Sequence, residues 1–252
     1  MRTRATIALL AATSVVGPTA PALADAHEGD TEVVSASVNG GKPVVVGTVA
    51  ATSFTATVTA TDPAGIDWID VVMYRGPAAS PSGANAKAIE PSCTSIDPSM
   101  TKCTFTFVLG RGWLSHADAG AWQLRAIAAG KDGDRHADEA AAAFDVQRAS
   151  KLTVNAAPEP VLKGKALTVT GKLSRANWET HDYRGYTAQP VRLQFRKKGS
   201  DVYTTVKTVR TDGTGNLKTT VTAANDGYWR WNFEGTPTTP ACKAAGDFVD
   251  VR

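Results

Sequence analysis

The densest group of metal-type ligands is Asp132, Asp134, Asp138 and Glu139, in and just after Lys131-Asp132-Gly133-Asp134-Arg135-His136. Alternating Asp at a turn could supply three or four of the oxygens that calcium needs, and carbonyls and water the rest. The spacing is not that of an EF-hand: Gly133 comes too soon after the first Asp, and Glu139 is too early for the bidentate ligand. The competing reading is a solvated turn, with Asp and Gly chosen for their tolerance of left-handed backbone. A second group, Trp178, Tyr183 and Tyr186, lies with Glu179, His181 and Asp182 in one connection. Such rings suit stacking on a sugar or anchoring a protein partner; alternatively they fold back and cap their own domain. A third group is Arg192, Arg196, Tyr228 and Arg230, cations around an aromatic that suit an anionic polymer or an acidic protein patch. Its bland alternative is the ordinary wet face of an antiparallel sheet.

Catalytic patterns are missing. There is no Gly-x-Ser-x-Gly, no His-Glu-x-x-His and no phosphate loop. Ser115, His116 and Asp118 are close in sequence, but triad partners normally come from separate segments. The chain is therefore expected not to be an enzyme and to need no cofactor, calcium excepted.

The elements that must position these groups are strands. Phe54, Ala56, Val58 and Ala60 alternate with polar residues, as do Cys103, Phe105 and Phe107, and Trp122, Leu124 and Ala126. Ile66 to Tyr74 reads as a strand that contains Trp68. Val191, Leu193 and Phe195 face one way and Arg192, Gln194 and Arg196 the other; Trp229, Trp231 and Phe233 oppose Tyr228, Arg230 and Asn232. Arg192, Arg196, Tyr228 and Arg230 thus share an outward face if the two strands are neighbours. Asp212-Gly213-Thr214-Gly215 predicts a hairpin between Val202–Arg210 and Asn216–Thr222. The fold class is all-β: two tandem immunoglobulin-like antiparallel β-sandwiches, residues 25–149 and 150–252, with Arg148-Ala149-Ser150 between them.

Residues 1–24 read as a cleaved signal peptide, with Arg2 and Arg4, an apolar run from Ile7 to Val16, and Ala22-Leu23-Ala24 before the cut. The expected location is secreted and extracellular, and no apolar run is long enough for a membrane span. In an oxidising compartment Cys93 and Cys103 should form a disulfide. Cys242 is left over, as a free thiol, an intermolecular bridge or a buried side chain. Without residues 1–24 the chain has 25 basic and 24 acidic residues, too balanced for nucleic acid. The division is uneven: residues 25–149 hold 9 bases and 15 acids, net −6, and residues 150–252 hold 16 and 9, net +7.

Gly164-Lys165-Ala166-Leu167-Thr168-Val169-Thr170-Gly171, Val191 to Arg196, Asp226-Gly227-Tyr228-Trp229-Arg230-Trp231 and Phe248-Val249-Asp250-Val251 together carry a resemblance. They are similar to a repeated immunoglobulin-like module of secreted actinobacterial proteins, some of which bear a calcium-binding label. The resemblance implies the fold and export and transfers no catalytic residue. The function expected is a secreted, non-catalytic recognition module for cell-wall polymer or protein. The alternative is a structural, calcium-stabilised extracellular spacer.

Overall fold

The computed structural model describes residues 25–77, 88–110 and 112–252. The expected signal peptide, residues 1–24, lies outside them. The first unit contains β1 (Ala26–Glu28), β2 (Glu32–Val38), β3 (Val44–Val46), β4 (Thr52–Thr61), β5 (Ile66–Tyr74), β6 (Ala88–Ser95), β7 (Met100–Leu109), β8 (Gly120–Gly130) and β9 (Arg135–Arg148). One sheet runs β2-β4-β7-β6 and the other β1-β9-β8-β5, with β3 added parallel to β9. This is the A-B-E-D against C-F-G arrangement of an immunoglobulin sandwich.

The second unit contains β10 (Ser150–Leu152), β11 (Asn155–Ala157), β12 (Ala166–Asn177), β13 (Asp182–Gly185), β14 (Pro190–Lys197), β15 (Thr204–Arg210), β16 (Asn216–Thr222), β17 (Gly227–Phe233), β18 (Cys242–Lys243) and β19 (Asp247–Val249). β12 carries β10, β11, β13 and β16; the facing sheet is β15-β14-β17, with β18 and β19 on β17. The chain is all-β, two immunoglobulin-like sandwiches in tandem.

Strict alternation builds both cores, because successive side chains leave opposite faces of a strand. Phe54, Ala56, Val58, Ala60, Phe105, Phe107, Trp122 and Leu124 are buried together in the first sandwich. Leu167, Val169, Val191, Leu193, Trp229, Trp231 and Phe233 are buried in the second. The Trp231 indole N–H donates to the Thr170 carbonyl at 2.9 Å. Gly171 is required beside it, since a Cβ there would lie 2.6 Å from Trp231 Cδ1.

Two sequence expectations need correction. Asp212–Gly215 does not close a hairpin: β15 pairs with β14, whereas β16 pairs with β12 in the facing sheet. The turn steps across the sandwich instead. It needs no paired strands, because the Asp212 carboxylate accepts the Thr214 N–H, the Asn216 N–H and the Thr214 hydroxyl. Those bonds hold its carboxyl down to about 2. Residues 177–186 are also not an open loop. They fold as a tight hairpin, β13 pairing with the end of β12 from Asn177↔Asp182 to Ser174↔Gly185. Of the tryptophans on β5 and β8, Trp122 is the core residue; Trp68 is 38% exposed and lies beneath the Arg135 guanidinium.

Candidate functional site

Three places gather chemistry-bearing side chains. The first is the tip of the first sandwich, where the β4–β5 turn, the β8–β9 turn and the chain between β1 and β2 meet. Backbone bonds knit the tip together: Asp62 N–H to Ser99 O, Gly65 N–H to Asp62 O and Lys131 N–H to Gly65 O. Asp30, Asp62, Asp132 and Asp134 converge there, each offering a carboxylate oxygen within 4.8 Å of the others. Asp62 is fully buried and accepts the Thr31 hydroxyl at 2.5 Å and the Ala64 N–H at 2.7 Å. Asp134 accepts the Asp30 N–H. Glycine makes this convergence possible: a Cβ on Gly130 would overlap the Asp62 carboxylate, and one on Gly29 would overlap Asp134. Desolvation, then the charges of Asp62, Asp134 and Asp132, raise the Asp30 carboxyl. Such a group of carboxylates can hold a metal ion.

The sequence reading found half of this cluster. Asp138 and Glu139 lie outside it, because β9 begins at Arg135 and carries them away along the strand. Glu139 accepts Arg125 Nε at 2.8 Å, and Asp138 accepts the Ala140 N–H. Asp30 and Asp62 come from segments remote in sequence. The visible hints were Gly29-Asp30 and the Asp62-Pro63-Ala64-Gly65 turn.

The second place is the junction between the sandwiches. Trp178, 4% exposed, belongs to the core of the first sandwich, and its indole N–H donates to Val46 O at 3.2 Å. Around it, Ala176 N–H donates to Ala149 O, Arg148 Nε to Ala176 O, and Gln147 Nε2 to Thr236 O and Pro237 O. Burial, then the nearby Arg175 charge, pushes the Arg148 guanidinium down to about 10. The other rings are also engaged: Lys151 Nζ lies 3.8 Å from the Tyr183 centroid, Arg175 Cζ 3.9 Å from that of Tyr186, and Tyr186 meets Phe233 edge-on. Trp178 is therefore a clamp, not a ligand platform. His116 faces Asn177 and Glu179 here, while Ser115 and Asp118 cap a short turn, so the three do not form a relay.

The third place is the outer face of the β14–β17 sheet. The register sets Arg196 opposite Tyr228 and Gln194 opposite Arg230, and β19 places Phe248 beside Tyr228. Arg196, Tyr228 and Arg230 are brought together as the alternation predicts. Arg192 shares the face but is held by Glu234 at 3.0 Å. Tyr203, which the sequence reading placed within a strand from Val202 to Arg210, instead precedes β15 and lies over the face: Arg230 Cζ is 3.6 Å from its centroid and Arg196 Cζ 5.3 Å. Arg196 Cζ is also 4.1 Å from the Tyr228 centroid. Phe248 and Lys198 extend the row.

No protein-family model matches the chain, and no curated protein matches it. Similar solved structures include the titin domains Z1Z2 in complex with telethonin, 11% identical over 88% of this chain and 96% of theirs, TM-score 0.24. The D00–D0 domain of intimin is 12% identical over 85% and 98%, TM-score 0.28. The Escherichia coli adhesin FdeC is 21% identical over 88% and 65%, TM-score 0.30.

Proposed function

We propose that this chain is a secreted, non-catalytic binding module that takes an anionic cell-wall polymer on the outer β14–β17 face. The observation that carries this reading is the stack of Arg196 and Arg230 with Tyr203 and Tyr228. Their side chains bond to neutral acceptors, Ser200 O and Gln194 Oε1, and not to a carboxylate. The acidic sandwich does not mask them. The Arg and Lys ion pairs of the described residues, such as Arg75–Asp118, Arg125–Glu139 and Lys198–Asp226, each stay within one sandwich. The junction is made from Trp178 and from hydrogen bonds of Gln147, Arg148 and Ala176, with His116 facing Glu179, and it uses none of the Arg196, Arg230 or Tyr203 side chains. The full chain should co-sediment with purified cell walls at about 0.01 M salt and be released near 1 M, as the Debye length falls from about 30 to about 3 Å. R196E/R230E should stop binding. Absence of binding at low salt, or binding indifferent to the double charge reversal, rejects the reading.

A second reading, a calcium-stabilised spacer, is favoured by the buried Asp62 among three other carboxylates. An ionised carboxylate taken out of water is costly unless paired, and two neutral donors offset part of that cost. Calcium accepts such an all-oxygen set. At calcium a hundredfold above its dissociation constant, the melting temperature should rise by roughly 5–10 °C, and D62N should remove the response. Equal melting in calcium, magnesium and chelator would show a turn and no more. Without metal, Asp30 adds its own pH dependence, opposite in sign to that of Asp212 and Asp97: with its folded pKa raised, its contribution is present below the ordinary aspartate value and lost as pH rises through the raised one.

A further inference from the structure

We propose that the Arg196–Tyr203–Arg230 stack is a clamp for phosphodiester groups, so that the polymer recognised is a polyol phosphate chain. This rests on the reading of the β14–β17 face as the binding surface, and specifies its ligand. Tyr203 comes from the turn after β14, and its hydroxyl crosses the sheet to the position that a Cβ on Gly246 would occupy. The ring then lies against two guanidinium groups at once, 3.6 Å from Arg230 Cζ and 5.3 Å from Arg196 Cζ, with Tyr228 4.1 Å from Arg196 Cζ. Stacking engages the faces of a guanidinium and leaves its N–H edges available. Each group has five N–H donors. The acceptors that hold them in place are neutral: Ser200 O for Arg196 and Gln194 Oε1 for Arg230. Asp201 adds a nearby negative charge to Arg196. The forks are pre-oriented, keep their charge and have edges to offer an oxyanion.

A phosphodiester fits this arrangement in three ways. Its two non-bridging oxygens match a guanidinium fork, and it stays ionised over the whole physiological range. Its short polyol spacers can lie on the Tyr203 and Tyr228 rings. Arg230 lies opposite Gln194, one same-face step along the sheet from Arg196, while Lys198, just past the end of β14 and paired with Asp226 at 3.7 Å, sets its ammonium over Phe248. Side chains on one face of a strand recur every ~6.6 Å, a step comparable to the repeat of a three-carbon phosphodiester chain. A ribbon of linked uronic acids instead turns successive carboxylates to opposite edges, and presents fewer to one row of cations.

The test compares two polymers and two kinds of substitution in the full chain, at low salt. Poly(glycerol phosphate) should bind at least tenfold more tightly than polygalacturonate of matched charge. R196K/R230K keeps the charge but loses the planar fork and its stacking, and should weaken poly(glycerol phosphate) binding at least tenfold. Y203A should do the same, and Y203F should restore most of the affinity because it keeps the ring. Circular dichroism of each variant should match the parent, since all three side chains lie outside the core. If R196K/R230K binds as tightly as the parent, or polygalacturonate binds equally well, the phosphodiester clamp is overturned. The general anionic-surface reading then survives if R196E/R230E still fails to bind. If neither polymer binds at low salt, both fall together.

Discussion

Replacing Trp178 by Ala should lower stability by about 3–5 kcal/mol, the cost of emptying a buried aromatic site, and should loosen the junction. The side chain belongs by sequence to the second sandwich but sits in the core of the first. Its removal leaves a cavity in one unit and frees the hairpin of the other. It also leaves Val46 O without the indole donor. Tryptophan fluorescence during urea unfolding gives the loss, and small-angle scattering should show a broader distribution of interdomain angles. W178F, which keeps most of the packing and lacks the N–H, should fall between the parent and W178A. A loss below about 1 kcal/mol with unchanged scattering would mean that the hydrogen bonds of Gln147, Arg148 and Ala176 hold the sandwiches unaided.

This clamp also marks the limit of what the sequence could tell. Period-two patterns are local, so they named the core-facing residues of β4, β7, β8, β14 and β17 correctly and put Arg196, Tyr228 and Arg230 on one outward face. Partners set by topology are not local. Asp30 and Asp62 meet Asp132 and Asp134 because an immunoglobulin sandwich brings its B–C and F–G turns to one end. Tyr203 reaches Arg230 because a turn folds over a sheet. The Asp212–Gly215 turn has hairpin chemistry, yet its capture of Asp212 serves a crossing between sheets equally well. Trp178 has the type and spacing of an anchor, and nothing in its own segment says that the anchored surface is the preceding domain.

The same topology restricts where a ligand can bind. In variable-type immunoglobulin domains the binding loops are the B–C and F–G connections at one end. In the second sandwich those connections are the Trp178 hairpin and the segment around Thr236–Thr238, and both are packed on the first sandwich. What that unit leaves open is its sheet face, with the Tyr203 stack. In the first sandwich the corresponding end carries the carboxylates. β9 runs from that end to the junction over 14 residues, roughly 45 Å at 3.2–3.4 Å per residue. An ion at the tip and a polymer on the face would therefore act at well-separated places on the chain.

Reducing the Cys93–Cys103 disulfide should cost roughly 3 kcal/mol, the chain-entropy value for a loop of this size. The bond joins directly opposed residues of β6 and β7, ten apart in sequence. Its two ends differ: Cys103 is 1% exposed in the core, while Cys93 is exposed on the edge strand β6. From Pro91 to Ser95 that strand is exposed throughout, so it gains little from burial and depends on its ladder and this link. The turn between them is closed by Asp97, whose carboxylate accepts the Ser99 N–H and hydroxyl; those bonds hold its pKa low. Loss of the link should let β6 fray and uncover the edge of β7, a template for pairing with another chain. C93A/C103A and the reduced parent should therefore both unfold earlier in urea and aggregate more readily on heating, while reductant should leave C93A/C103A unchanged. Cys242 should not confuse the measurement: it is half-buried beside Ser150, and burial raises its thiol pKa, which keeps it slow to react near neutral pH. A reduced protein that melts with the oxidised one would show that the β6–β7 ladder alone secures this edge.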